Sequence, residues 1–296
     1  MASRDHMPNA PTRRIVQPGP RAPERIQWVE VRGHAFSFVL EAGLPLLEAV
    51  RRGFAAAGFS SGVLRADGGA LGPFAYVMPA LPQTNEHVAF YSKTFRPAGI
   101  TRLKIATMTF GMHDGAPWFH CHAQWLEADG RLSGGHILPD ETIVAEPFPV
   151  EAFGIKGAMF TAQPDPETNF KLFGPVPCDP TNAHTTSRAF ALRLRPNQDF
   201  ANSLEDFCRQ HKIAHAKVRG GVGSIIGAQF TDGRLVEPFI TEIAVRSGAV
   251  MPAASSSLEA ELDVALVDHM GGLSEGRLRR GANPVLLTME IVLEVL

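Results

Sequence analysis

The chain repeats itself. Shifted by 154 residues, Ala35-Phe36 falls on Ala189-Phe190, Leu40 on Leu194, Arg65 on Arg219 and Gly69 on Gly223, with no gap between them. Each stretch begins with an apolar strand. A helical stripe follows, Leu46, Leu47, Val50, Phe54 and Ala57 in one case and Phe200, Leu204, Phe207 and Cys208 in the other. Both stretches close on a hairpin and a long apolar strand, 143–153 and 285–296. A period of this length, with the elements equally spaced, predicts two copies of one domain. After each helix only strand patterns follow, so the expected class is α+β: a mainly antiparallel sheet with one principal helix packed on it in each copy. The expected limits are an arm over 1–30, a first domain over 31–165, a proline-rich connector over 166–184 and a second domain over 185–296.

The arm carries five prolines and five arginines within its first 26 residues and shows no apolar periodicity, which predicts a flexible, solvated segment. A formal net charge of −2 gives no electrostatic reason to expect direct binding of nucleic acid. Cys121, Cys178 and Cys208 are far apart and odd in number, so neither a disulfide framework nor a zinc ribbon is indicated. No apolar run approaches the roughly 20 residues of a membrane helix, and no hydrophobic stretch follows the early arginines. The expectation is a cytoplasmic, reducing compartment. Gly221-Val222-Gly223 to Gly227 only superficially resembles a dinucleotide fingerprint, because no helix pattern follows it.

The densest polar cluster is Phe119-His120-Cys121-His122-Ala123-Gln124-Trp125, followed by an Asp129-Gly130 turn and Gly134-Gly135-His136. Alternate residues of a strand share a face, so His120 and His122 point the same way. With a three-residue loop Ala128-Asp129-Gly130 and Gly130 left-handed, His136 falls opposite His122. Three converging imidazoles with an open position suit a divalent metal, zinc foremost. An HxH pair alone is uninformative; the third histidine in register makes the difference. Cys121 faces away and reads as a small buried hydrophobe. Lys93, Arg96 and Glu146 are the candidates to supply charge for catalysis near the metal. In the second copy the hairpin reads as two residues shorter, with Asp263, Ala265 and Arg277 in place of the histidines and His269 near the turn, so only the first copy keeps the site.

His120-Cys121-His122, the Asp129-Gly130 turn, Gly134-Gly135-His136 and Pro164-Asp165-Pro166-Glu167-Thr168 resemble the PPC (plant and prokaryote conserved) domain. The resemblance covers about 31–175 and, more loosely, 185–296. It implies an α+β fold, metal binding by the three histidines and assembly as a homotrimer. Plant members are DNA-associated, but no Arg-Gly-Arg-Pro hook is present here; Gly19-Pro20-Arg21 lacks its core. Three functions stay open: a metal-dependent hydrolase or lyase acting on a small anionic metabolite, a trimeric scaffold with a structural metal, and a DNA-binding or regulatory protein.

Overall fold

The strands of the first half are β1 (Ile26–Leu40), β2 (Gly62–Ala66), β3 (Ala70–Leu71), β4 (Tyr76–Val77), β5 (Pro79–Ala80), β6 (Phe90–Tyr91), β7 (Thr101–His113), β8 (Ala116–Leu126), β9 (Leu132–Ile137), β10 (Val144–Glu146), β11 (Phe148–Lys156), β12 (Ala158–Pro164) and β13 (Lys171–Pro177), with helix α1 (Leu46–Ala56) after β1. The second half holds β14 (Ser187–Leu194), α2 (Phe200–Gln210), β15 (Ala216–Gln229), β16 (Leu235–Pro252), β17 (Leu258–Asp268), β18 (Leu273–Arg277) and β19 (Val285–Val295). The structure, a computed structural model, describes residues 13–179, 184–254 and 257–296. The fold is α+β and mainly antiparallel, as the sequence implied. No helix among the described residues is long and apolar enough to cross a membrane.

Each helix forms because its apolar residues recur every three or four positions and find a sheet to cover. Helix α1 buries Leu46, Ala49, Val50 and Phe54 and ends at Gly58, whose φ of 81° would strain a side chain. Helix α2 buries Phe200, Leu204, Phe207 and Cys208 and starts on Asp199, whose side chain accepts from the Asn202 amide. The same carboxylate accepts from the amides of Gly281 and Asn283, tying the helix start to the turn before β19. Two separate hydrophobic cores result. One surrounds Phe54, Phe110 and Trp125, with Cys121 inside it; the other surrounds Phe207, Phe230 and Ile291.

The two halves are not beads on a string. Strand β1 pairs over Arg32–Leu40 with β11 and over Ile26–Gly33 with β14, so one strand carries the ladder from half to half. Behind it, Val31, Val63, Phe153 and Phe160 pack against Ala189, Ala191 and Val292 in a third core. The expected connector is likewise structured: β13 pairs with β12 along its length. Residues 13–25 of the expected arm are tied down: Arg13 donates to the Val236 and Ala282 carbonyls and Gln17 to that of Leu286 in the second half, while Gly19 donates to the Glu167 carbonyl and Arg25 to the Glu167 carboxylate. Residues 1–12 are outside the described residues.

Candidate metal centre

The three histidines meet on the β8–β9 hairpin. Gly130 donates to the Glu127 carbonyl and Glu127 to that of Arg131, closing the loop Ala128-Asp129-Gly130 with Gly130 at φ 88°. This turn sets the register that places His136 opposite His122. His120, two residues before His122, shares its face. One ligand atom from each imidazole lies within 4.8 Å of the others. Gly134 and Gly135 allow close docking: a Cβ on Gly134 would meet Leu273 at 2.9 Å, and one on Gly135 the Val77 carbonyl at 2.5 Å.

The second half completes the surroundings. Gln124 donates to the carbonyls of Leu266 and Ser274, and Thr107 to that of Gly221, holding the hairpin against β15, β17 and β18. From β19, Glu290 accepts at 2.8 Å from His120 Nδ1; from β16, the Ile243 carbonyl accepts at 3.0 Å from His122 Nδ1. A proton held on Nδ1 leaves Nε2 as the ligating atom, and carboxylate or carbonyl partners of this kind orient metal-bound histidines. The two Nε2 atoms are 3.1 Å apart. Adjacent ligand atoms of a tetrahedral site with bonds of about 2.0–2.1 Å are roughly 3.3–3.4 Å apart, so the pair already stands near metal spacing. His136 Nδ1, Glu242 Oε2 and Glu290 Oε2 are buried without a hydrogen-bond partner. Three orphaned polar atoms around convergent imidazoles fit a bound cation.

Electrostatics point the same way. Burial and then the charge of its neighbours His120 and His136 hold His122 well below the usual imidazole range; burial and then His120 do the same to His136. Both are neutral, as ligation requires. Burial also opposes a charge on His120, but the charge and hydrogen bond of Glu290, with Glu242 behind, outweigh it and raise this ring. Burial pushes the Glu242 carboxyl up to about 8, with His120 opposing the rise. Beside the rings is a cavity of about 40 Å³ lined by Phe90, Tyr91, Phe170, Ser224, Glu242 and Leu286 among others.

Lys93, Arg96 and Glu146 do not belong to this site. Lys93 lies over the Phe95 ring, Arg96 pairs with Glu141 and Glu146 with Arg102, the ion pairs both on the exposed surface. Long charged side chains at strand ends are more cheaply solvated than buried, and none of the three lines the cavity. Glu242, not singled out by the sequence reading, does, and Glu290, equally unforeseen, holds His120 Nδ1 from behind. Their one signal is chemical: each is a carboxylate set among apolar residues of a strand, Ile240-Thr241-Glu242-Ile243-Ala244 and Met289-Glu290-Ile291-Val292, and such a group needs a partner.

The hairpin of the second half is corrected in register. Gly271 donates to the Asp268 carbonyl and Asp268 to that of Gly272, with Gly271 at φ 83°. Its loop, His269-Met270-Gly271, is therefore the same length as the first, not two residues shorter. Asp263 faces Arg277 as His122 faces His136. Ala249 pairs with Glu261 as Thr109 pairs with His120. The residues in the three places are Glu261, Asp263 and Arg277; Ala265 is not among them. Arg277 pairs with Glu261 at 3.0 Å, and Arg246 with Asp263 at 3.2 Å. Guanidinium groups neutralise the carboxylates there, and no imidazole remains.

Fold and site together define a class: an α+β protein with a buried three-histidine cluster backed by carboxylates. Residues 181–296 match the Plants and Prokaryotes Conserved (PCC) domain model, the domain that the sequence resembles. Among solved structures, a plant- and prokaryote-conserved protein of Pyrococcus horikoshii is 17% identical, with 51% of this chain and 97% of that one covered at a TM-score of 0.39. A metal-containing protein of Archaeoglobus fulgidus is 19% identical, with 48% and 94% covered at 0.38. A protein of Ralstonia eutropha named as a DNA-binding candidate is 16% identical, with 47% and 89% covered at 0.35. No curated protein matches the chain.

Proposed function

We propose that this chain is a two-domain metal-binding protein in which one divalent ion, zinc foremost, joins the halves. The first domain, over residues 31–165, supplies His120, His122 and His136. The second, over 185–296, orients them and encloses the site. The observation that carries this reading is the pair of Nδ1 contacts: both histidines of the HxH pair are held by the other half, with their Nε2 atoms turned toward one another. When bound, the ion would supply Lewis acidity.

Calorimetric titration of the chelated protein with zinc tests the proposal, and pH gives it a sign. His120 and Glu242 both carry raised values, so protons compete with the metal at each. Affinity is expected to weaken by about tenfold or more for each unit as pH falls from about 7.5 to 5.5. An affinity independent of pH in that window contradicts the site.

A second reading is favoured by the cavity of about 40 Å³ beside the rings, which has room for a water or one small group. Hydrolase or lyase chemistry would take place there, with Tyr91 and Ser224 contacting the reacting group. The small anionic metabolite expected from the sequence fits poorly, because the Glu242 carboxyl lines the space and no Lys or Arg among the described residues does. The substrate in this reading is a small neutral carbonyl compound. Direct DNA binding gains nothing from the site, and the net charge of −2 disfavours it. Homotrimeric assembly in the cytoplasm completes the proposal. Closed threefold symmetry gives each half one repeated interface, and light scattering is expected to find a mass near three times 32.0 kDa. A monomer at micromolar concentration contradicts it.

A further inference from the structure

We infer that Glu242, delivered by the second half, is the fourth ligand of the metal site and closes it. The inference rests on the metal reading of the three histidines and goes beyond it, because a fourth protein ligand decides whether the centre is open or sealed.

Three observations carry it. Glu242 Oε1 lies 3.6 Å from His122 Nε2. This is too long for a hydrogen bond and close to the roughly 3.3–3.4 Å edge of a tetrahedral site. A carboxylate acting through a metal-bound water would stand farther off, since the water takes up another bond length. Second, His122 holds its proton on Nδ1 for the Ile243 carbonyl, so the Nε2 facing Glu242 is a bare lone pair. An imidazole lone pair set against a carboxylate oxygen is repulsive unless a cation stands between them. Third, Glu242 is 6% exposed and its Oε2 has no hydrogen-bond partner. Glu290, by contrast, spends one oxygen on His120 Nδ1, which leaves it a positioning residue behind a ligand. A buried carboxylate without donors is strongly unfavourable, and a coordinated cation removes that cost.

The geometry has a consequence for the molecule. A metal bound by His120, His122 and His136 of one half and Glu242 of the other is a covalent-strength clasp between them, and the small cavity is then the space beside a filled coordination sphere.

Cobalt(II) replaces zinc with a visible spectrum that reports coordination, and azide occupies an open position. The full-length protein loaded with cobalt is expected to show a four-coordinate spectrum that azide leaves unchanged. Glu242→Ala is expected to weaken cobalt binding by about 100-fold and to yield a spectrum that azide shifts. Glu242→Gln, which keeps the shape but ligates poorly, is expected to behave likewise and stands in should the alanine variant not fold. Azide shifting the wild-type spectrum, with both variants within tenfold of wild-type affinity, overturns the fourth-ligand assignment and leaves the three-histidine site intact. Failure of the wild type to bind cobalt at all overturns the metal reading itself.

Discussion

Asp165→Ala is expected to destabilise the protein by about 3–5 kcal/mol, the usual result of removing one partner from a buried ion pair. Asp165 lies in the Pro164-Asp165-Pro166-Glu167-Thr168 run and is 3% exposed. It accepts from Arg193 Nη2 at 2.7 Å and from Arg195 Nη1, both on or next to β14, and from the Thr168 amide at 3.0 Å. Removing it leaves Arg193, itself 3% exposed, without its carboxylate at the seam between the halves. For a chain of this size each kcal/mol moves Tm by about 2–4 °C, so a fall of roughly 6–20 °C is expected in a thermal melt. Burial opposes the Asp165 charge, but Arg193 and Arg195 outweigh it and lower its pKa. A lowered carboxyl contributes stability above its unfolded value near about 3.9 and loses it as pH falls through the folded value. The penalty of the variant therefore shrinks in acid below about pH 4. A Tm within about 2 °C of wild type at neutral pH contradicts this role.

Chelation should act on the same seam from the other side. With free zinc at about a thousand times its dissociation constant, the native state gains about 4 kcal/mol over the metal-free protein. Stripping the metal is then expected to lower Tm by roughly 8–16 °C. Physically, the metal-free protein keeps the Glu242 and Glu290 side chains buried, each with one oxygen lacking a hydrogen-bond partner. The control is His122→Ala, which should melt at one temperature with or without chelator. Equal melting of wild-type protein in zinc and in chelator contradicts the joint.

Local chemistry was legible in the sequence and distant chemistry was not. Asp129-Gly130 admits one favourable turn, and that turn puts His136 opposite His122. In the second hairpin Gly271-Gly272 offers two residues able to take a left-handed conformation, so the turn can be set one place off; the wrong choice moves Ala265 into the place held by Asp263, and Asp263 into that of Glu261. Glu242 and Glu290 reach the histidines from strands more than a hundred residues later, and only the packing of the halves shows it. Lys93, Arg96 and Glu146 stood close to the hairpin in sequence, yet hydration and nearby counter-charges keep them on the surface. The proline-rich run read as a loose connector because prolines punctuate it, while its buried carboxylates, Asp165 and Glu167, make it an anchor for β14 and for Arg25.

The central claim is one metal, held by the first half's histidines at the junction with the second. Elemental analysis of purified protein, supplemented with zinc and then dialysed, tests it most directly. The account predicts about one zinc per chain in the wild type and almost none in a folded His122→Ala variant, since only one hairpin carries the imidazoles. Two zinc ions per chain, none in the wild type, or one retained in the variant would contradict it.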